Sequence, residues 1–406
     1  MSGKWPGGFI NKTAPTVVGP TDGEGGSASG IWTLDQVADY EARGLWPMGT
    51  TFRGLLGWGQ GTSGQLGDGT IVSKSSPIQI GSDIDWASSA AGTASSYAIK
   101  KDGTFWSWGT GSFGRLGHNN STDYSSPVQI GALTTWSVVS ASRTFALAIK
   151  TDGTLWGFGY NGYGQLGTGN TDNYSSPVQI GALTTWQDVS AGYVSSFAIK
   201  TDGTLWAWGM GNYGILGQSN TISYSSPVQV GALTNWLKVT ADYQAISAVK
   251  TDGTLWGWGS GYSGSTGHNS ATNYSSPVQV GALTNWLKLS GGYNNRYCIK
   301  TDGTLWSWGD NSQGQLGHGN TVNLSSPVQV GGLTTWLNVA GGTYSAYATT
   351  TSNTLYAWGK NNFGQLGDGT TVNKSSPIQV GAETYWNVLP NVTNANGVIA
   401  VTNRST

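Results

Sequence analysis

Residues 200 to 209 read KTDGTLWAWG, and nearly the same words return as KTDGTLWGFG at 150 to 159, KTDGTLWGWG at 250 to 259 and KTDGTLWSWG at 300 to 309. The spacing is 50 residues. Working outward, SSPVQ or SSPIQ places a proline at Pro77, Pro127, Pro177, Pro227, Pro277, Pro327 and Pro377, again at intervals of 50 without an insertion. Seven copies of one unit therefore fill the chain from residue 51 onward, a period that marks an architecture in which each unit buries its faces against its neighbours.

Each unit reads as four short strands. In the copy from 186 to 231, WQDVSA, SSFAIK, TLWAWG and SPVQV are rich in β-branched and aromatic residues and are separated by turn formers. Asp202-Gly203 predicts a two-residue type I′ hairpin, which makes the second and third strands antiparallel neighbours. Pro227 cannot donate to a ladder, so its strand belongs at a sheet edge. Large apolar groups on both faces of LWAWG require a sheet sandwiched between two others. Four-stranded sheets repeated seven times around an axis make an all-β, seven-bladed β-propeller.

The chain ends predict how the ring closes. WNVLP and NGVIAVT near the C-terminus supply the first two strands of a unit, and GLLGWG (54 to 59) with SSPIQI (75 to 80) supplies the last two. Positions 54 and 404 match in register and stand 350 residues apart, seven full periods. The two halves complete one shared blade, which removes the open edges of an unclosed array. The organisation expected is an N-terminal arm over 1–50 and a propeller over 51–406.

Composition excludes several classes. Nineteen Lys and Arg stand against 20 Asp and Glu, a net charge of −1, which offers no basic excess for nucleic acid. The single cysteine, Cys298, leaves no disulfide framework and sits in the register of Ala98, Ala148, Ala198 and Ala248, where a small buried side chain is expected. The start MSGKWPGGFINK lacks the apolar run of a signal peptide, and no later run has the length of a membrane span, so neither export nor a membrane anchor is expected.

The run DGTLWSWGDNSQGQLGHGN followed by SSPVQV resembles the regulator of chromosome condensation repeat, over residues 51 to 406. That resemblance implies a seven-bladed propeller and leaves function open, since the family includes a guanine-nucleotide exchange factor, a plant ultraviolet-B photoreceptor and microbial proteins. The inserted hairpin and basic tail of the exchange factor have no counterpart here. Trp106, Trp156, Trp206, Trp256 and Trp306 recur at a fixed register that reads as blade packing. Many family repeats carry a His in the second strand; the matching positions here are Ser95, Phe145, Ser195, Ala245, Asn295 and Ser345, so that polar bridge is missing.

No catalytic constellation and no cofactor or metal site is expected. His118, His268 and His318 occupy one loop register and read as solvent-exposed loop residues rather than zinc ligands. Asp68 and Asp368, neighbours in a seven-membered ring, form a pair that a glycosidase-like reading could use, and GQLGDGT reads first as a turn sequence. The glycine-rich loop GNYGILGQSN follows no strand-to-helix pattern and is not a phosphate cradle.

Binding is easier to place. The turn between strands one and two shares a face with the long loop between strands three and four, and differences between repeats concentrate there. That face is expected to display Phe113, Tyr160, Tyr163, Tyr213, Tyr262 and Phe363 from the long loops. Nearer the axis it is expected to display Arg143, Tyr193, Tyr243, Tyr293, Asn294, Asn295, Arg296 and Tyr344. Aromatic rings beside amides and arginine suit glycan or protein recognition.

Residues 1–50 have no second copy. TAPTVVGPTDGEGGSASG reads as a linker. After it, Thr33 and Gln36 form a capping box, Trp32 can pack on Val37, and Gly44 ends a helix of about residues 33–43. Its apolar face, with Trp32, Leu34, Val37, Tyr40, Leu45 and Trp46, is expected either to dock on the propeller or to serve as an attachment segment for another protein. SGIWTLDQVADYEARGLWP (29 to 47) resembles a short module of tailed-bacteriophage structural proteins. That resemblance implies a non-enzymatic virion component, assembled in the host cytoplasm and displaying its propeller to a host-surface glycan or protein. A cellular protein-interaction adaptor of the same propeller family is the alternative, and a glycan-active enzyme the third.

Overall fold

A computed structural model of the chain describes residues 52–241, 243–386, 391–392 and 396–404, together with an antiparallel pair of two-residue strands, Lys4–Trp5 and Gly8–Phe9. The expected helix at 33–43 and the attachment residues Trp32, Leu34, Val37, Tyr40, Leu45 and Trp46 lie outside the described residues.

From residue 52 the chain is a seven-bladed propeller. Blade 1 runs from the axis outward as Trp86–Ala91, Ser95–Lys100, Phe105–Gly109 and Tyr124–Gln129, each strand antiparallel to the next. The same order repeats through blade 6, which ends at Lys374–Gln379. Blade 7 joins the termini: Gly397–Arg404 lies beside Phe52–Gly59, which pairs with Lys74–Gln79. Residues 387–390, expected in its innermost strand, lie outside those described, and Asn391–Val392 pairs in parallel with Ala90 and Ala91 of blade 1. Each proline strand is the outer edge of its sheet, as a residue without an N–H requires.

The core lies between blades. Phe197, Ile199 and Leu205 of blade 3 pack on Trp236, Val239, Ile246 and Trp258 of blade 4, all buried, and the same layer recurs around the ring. Burying several such side chains per interface, at roughly 25 cal/mol per Å² of apolar surface, holds the blades together. In every blade but blade 2, which has Phe158 there, an indole reaches back to the preceding blade: Trp108 and Trp208 donate Nε1–H to the carbonyls of Gln65 and Gln165, at 3.0 and 2.9 Å. Closure uses the same bond, from Trp58 to Gln365. It also needs Gly364, at φ +75°, where a Cβ would come within 2.3 Å of the Ser75 Cα.

Hydroxyls on the innermost strands supply part of the polar bridging that the second strands lack. Ser140, Ser190 and Ser290 each accept a backbone N–H of the next blade, from Ala191, Ala241 and Gly341, at 3.0 Å.

The hairpin turn differs from the two-residue form expected. Lys200 N–H bonds the Thr204 carbonyl and Gly203 N–H bonds that of Lys200, which leaves a three-residue loop in which only Gly203 has positive φ. Asp202 is instead an acceptor: its carboxylate takes the backbone N–H and hydroxyl of Thr204, at 2.9 and 2.7 Å, and Thr204 Oγ1 accepts the Trp206 indole N–H at 2.9 Å. Those bonds hold the Asp202 carboxyl below its ordinary pKa. The Trp register is packing with a charge added, since Lys200 Nζ lies 3.7 Å from the centroid of the half-buried Trp206 and 5.1 Å from that of Trp186.

Candidate functional site

The inner turns of blades 1 to 4 and the long loops of blades 1 to 3 meet around a cleft of about 620 Å³ on the face where the repeats differ. Among the expected site residues, Arg143, Tyr193, Tyr243, Tyr160, Tyr163 and Tyr213 line it. Arg143 donates to the Tyr193 hydroxyl at 2.5 Å. Tyr193 meets Tyr243 edge-on at 4.8 Å, and Tyr243 stacks on Tyr293 at 4.4 Å. Tyr293 in turn meets Tyr344 at 5.7 Å, and Lys360 Nζ lies 5.4 Å from the Tyr344 ring. A cation therefore stands at each end of an arc of four half-buried phenols. Burial, with a hydrogen bond shared with Tyr243 and the neighbouring phenols, pushes the Tyr293 hydroxyl well above its ordinary pKa.

Phe113, Tyr163 and Tyr213 form the outer walls, each more than two-fifths exposed. Phe113 leans on Tyr160 at 5.1 Å. Tyr262, the most open of the loop rings, does not line the cleft, and Phe363 belongs to blade 6.

Asn294, Asn295 and Arg296 do not belong to the displayed surface. They are 5, 0 and 0% exposed, because the chain has already entered the second strand at Asn295. Arg296 turns toward blade 4 and donates to the Ala245 carbonyl at 2.6 Å. Blade 4 carries Ser247, Ser265 and Thr266 where blade 2 carries Leu147, Gln165 and Leu166, and the guanidinium enters that less filled interface.

Sequence reading missed Arg115 and Ile215, which also line the cleft. Four long loops carry Gln65, Gln165, Gln315 or Gln365, whose Oε1 accepts the backbone N–H two residues earlier, as from Tyr163 to Gln165 at 2.9 Å. Blades 1, 3 and 4 carry Arg115, Ile215 and Ser265 there, and only in those loops do Phe113, Tyr213 and Ser263 adopt φ of 61°, 62° and 55°. Positive φ on a bulky aromatic is sterically costly, and such outliers gather at binding sites. The signal was visible as GRLG, GILG and GSTG against GQLG.

The histidines are half-buried rather than solvent-exposed. His118 and His318 bond Ser107 and Ser307 through Nε2 at 2.9 Å, and His268 bonds the Val278 carbonyl at 3.2 Å. Among the described residues no group of three or more His, Cys, Asp or Glu could hold a metal ion. Cys298 is fully buried, which pushes its thiol up to about 12. Asp68 and Asp368 are each tied within their own loop, to Thr70 and Lys74 and to Thr370, Asn361 and Lys374. Burial opposes their ionisation, but these bonds and cations together outweigh it and hold both carboxyls below the usual range. A general acid needs the opposite shift.

The family model described as the regulator of chromosome condensation (RCC1) repeat matches residues 54–99, 102–149, 152–199, 202–244, 302–348 and 352–392. The chain belongs to this family of repeat propellers. The stretch between 244 and 302, with the Ser265–Thr266 and Arg296 departures, lies between matched segments. Comparison by sequence with curated proteins returns no match. In fold the chain is similar to human WBSCR16, with a TM-score of 0.78 and 21% identity over 86% of this chain and 99% of that one. It is also similar to Prp20p from Saccharomyces cerevisiae, described with its binding to Gsp1p and histones (0.77, 17%, 91% and 95%), and to yeast RCC1 (Prp20) in its complex with Kap60 (0.77, 16%, 88% and 90%). No helix among the described residues is long and apolar enough to cross a membrane.

Proposed function

We propose that this chain is a non-enzymatic protein-interaction propeller, a scaffold whose variable face docks another protein through the cleft of blades 1 to 4. The observation that carries this reading is the cleft itself. Exposed aromatic rings, two arginines and an ordered tyrosine arc stand on the turns and loops that join the strands, and two wall residues are held in costly left-handed conformations. Buried aromatic and arginine anchors dominate protein-binding energetics. Family membership agrees with it, since the solved relatives named above include one crystallised with a protein partner. The virion reading, with its virion partners and host glycan, rests on residues 29–47, outside the described residues, and none of the relatives reported above bears on it.

The test is co-purification of the full tagged chain from its source cells, followed by Tyr213→Ser and Arg143→Ala variants. A protein partner held by the unaltered chain and by Leu183→Ala, an exposed change on the opposite face, but lost from both cleft variants, supports the reading. A partner retained by both cleft variants overturns it.

A further inference from the structure

We propose that the cleft takes an extended peptide segment in which a carboxylate is flanked by apolar side chains, the carboxylate pairing with Arg143 and Arg115. This deepens the protein-interaction reading and rests on it. The described residues that line the cleft include two arginines and no aspartate or glutamate. Arg143 is exposed, and Arg115 lies beneath it, donating Nε–H to the Ser112 carbonyl at 3.0 Å and Nη1–H to that of Arg143 at 2.7 Å. These bonds aim the buried guanidinium and leave Nη2. Burial works against the Arg115 charge and Arg143 adds a like one, with Tyr97 and Asp123 opposing; Asp123, the carboxylate that acts on it among the described residues, already accepts the Gly111 N–H at 2.8 Å. Two guanidinium groups lining one cleft, with no aspartate or glutamate among its described lining residues, form a site that an incoming carboxylate completes.

The aromatic groups favour a peptide over a sugar. A sugar ring needs an open aromatic face, yet Tyr193, Tyr243 and Tyr160 already contact other rings. What the cleft offers is ring edges and walls from Phe113, Tyr213 and Met210, which suit aliphatic or aromatic side chains of a peptide. Its volume matches sites that enclose a ligand of a few residues. Asp242, next to Tyr243 in sequence, lies outside the described residues, so an Asp242→Asn variant belongs in the test.

The test is fluorescence anisotropy of the full chain with short labelled peptides of one Leu, Phe and Pro pattern, carrying Glu, Gln or Lys at the polar positions. The Glu peptide is expected to bind about tenfold tighter than the Gln peptide, to weaken with salt, and to fall to the Gln level in Arg143→Gln. Asp242→Asn should leave that order intact. Equal binding of Glu and Gln peptides, with Arg143→Gln silent, overturns the carboxylate but leaves peptide docking standing. A neutral oligosaccharide that binds where no peptide does overturns the peptide. Failure of every peptide, with a cellular partner that survives Tyr213→Ser, overturns this inference and the interaction reading together.

Discussion

Trp58 donates its indole N–H to the carbonyl of Gln365, 307 residues further along the chain, at 2.9 Å. The bond is one of a series of six that tie a blade to the one before it, and here it ties the beginning of the propeller to its end. Gln365 also accepts the Tyr347 hydroxyl at 2.8 Å, so its carbonyl keeps a partner if the indole goes. Ile215 has no such reserve among the described residues: Trp258 donates to it at 2.8 Å, and the register that holds Tyr347 in blade 6 holds Phe197 in blade 3. Trp58→Phe should therefore cost about 1 kcal/mol, an ordinary net hydrogen bond, and Trp258→Phe about 2 to 3 kcal/mol because a buried carbonyl is orphaned. Blade 2 already carries Phe158 at this position, and there Arg115 accepts from Tyr97 at 2.7 Å. Urea unfolding followed by tryptophan fluorescence checks the order; equal losses would refute it.

The propeller was legible because its period is strict and its punctuation repeats: the proline strand, the DGT turn and the LWxWG strand recur without insertion. The turn type was misread because Asp-Gly alone does not distinguish a two-residue loop from a three-residue loop with glycine last; Thr204, which captures the Asp202 carboxylate, decides it. The tyrosine arc was placed on the right face, since one register puts Tyr193, Tyr243 and Tyr293 on successive blades. Arg296 was not, although the register that starts a strand at Ser195 starts one at Asn295 too; the alternation of that strand turns Arg296 inward against blade 4. That Arg296 reaches the Ala245 carbonyl of blade 4 is a property of blades meeting, not of any one segment.

The lysine that ends the second strand in blades 1 to 5 lies over tryptophan rings. Lys250 Nζ is 3.7 Å from the Trp256 centroid and 4.9 Å from that of Trp236, and the residue is 5% exposed. Burial lowers its pKa, with Asp252 opposing, yet the ring faces favour the charged form. Lys250→Met keeps the length and removes the charge, and should cost about 1 to 2 kcal/mol in urea unfolding. Blade 6 has Thr350 and Tyr356 at these positions, with Thr350 bonded to Ser352 and Thr354 instead, so it gives an internal control without a cation. A Lys250→Met chain as stable as the original would mean the stack contributes packing alone.

Ile215→Gln supplies the missing acceptor in the blade 3 loop. The Tyr213 N–H should then bond the new side chain as Tyr163 bonds Gln165, and φ at Tyr213 should leave +62° for the negative range of the Gln-bearing loops. Relief of one strained residue should stabilise the chain by about 1 kcal/mol, while re-aiming Tyr213 weakens cleft binding. The reverse change, Gln165→Ile, should drive Tyr163 to positive φ and destabilise by a similar amount. Crystal structures of both variants with melting curves decide it; a Tyr213 that stays left-handed in Ile215→Gln would show that side-chain packing, not the absent acceptor, sets the loop.

Acid sensitivity should come first from the loop histidines. Burial holds His118, His268 and His318 below the ordinary imidazole value; bonds at Ser107, and at Val278 and Gln279, oppose it for the first two without cancelling it. The unfolded chain, with imidazoles near about 6.5, therefore takes protons first on acidification. Stability from these groups is complete above that pH and is lost as pH falls through the window toward the folded values. The turn carboxylates Asp102, Asp152, Asp202, Asp252 and Asp302 are also depressed, but from 3.8, so their loss begins only in stronger acid. Melting temperatures at about pH 7.5 and 5 should fall for the unaltered chain and hold nearly level for a His118→Gln, His268→Gln, His318→Gln variant. An equal fall in both would place the sensitivity in other groups.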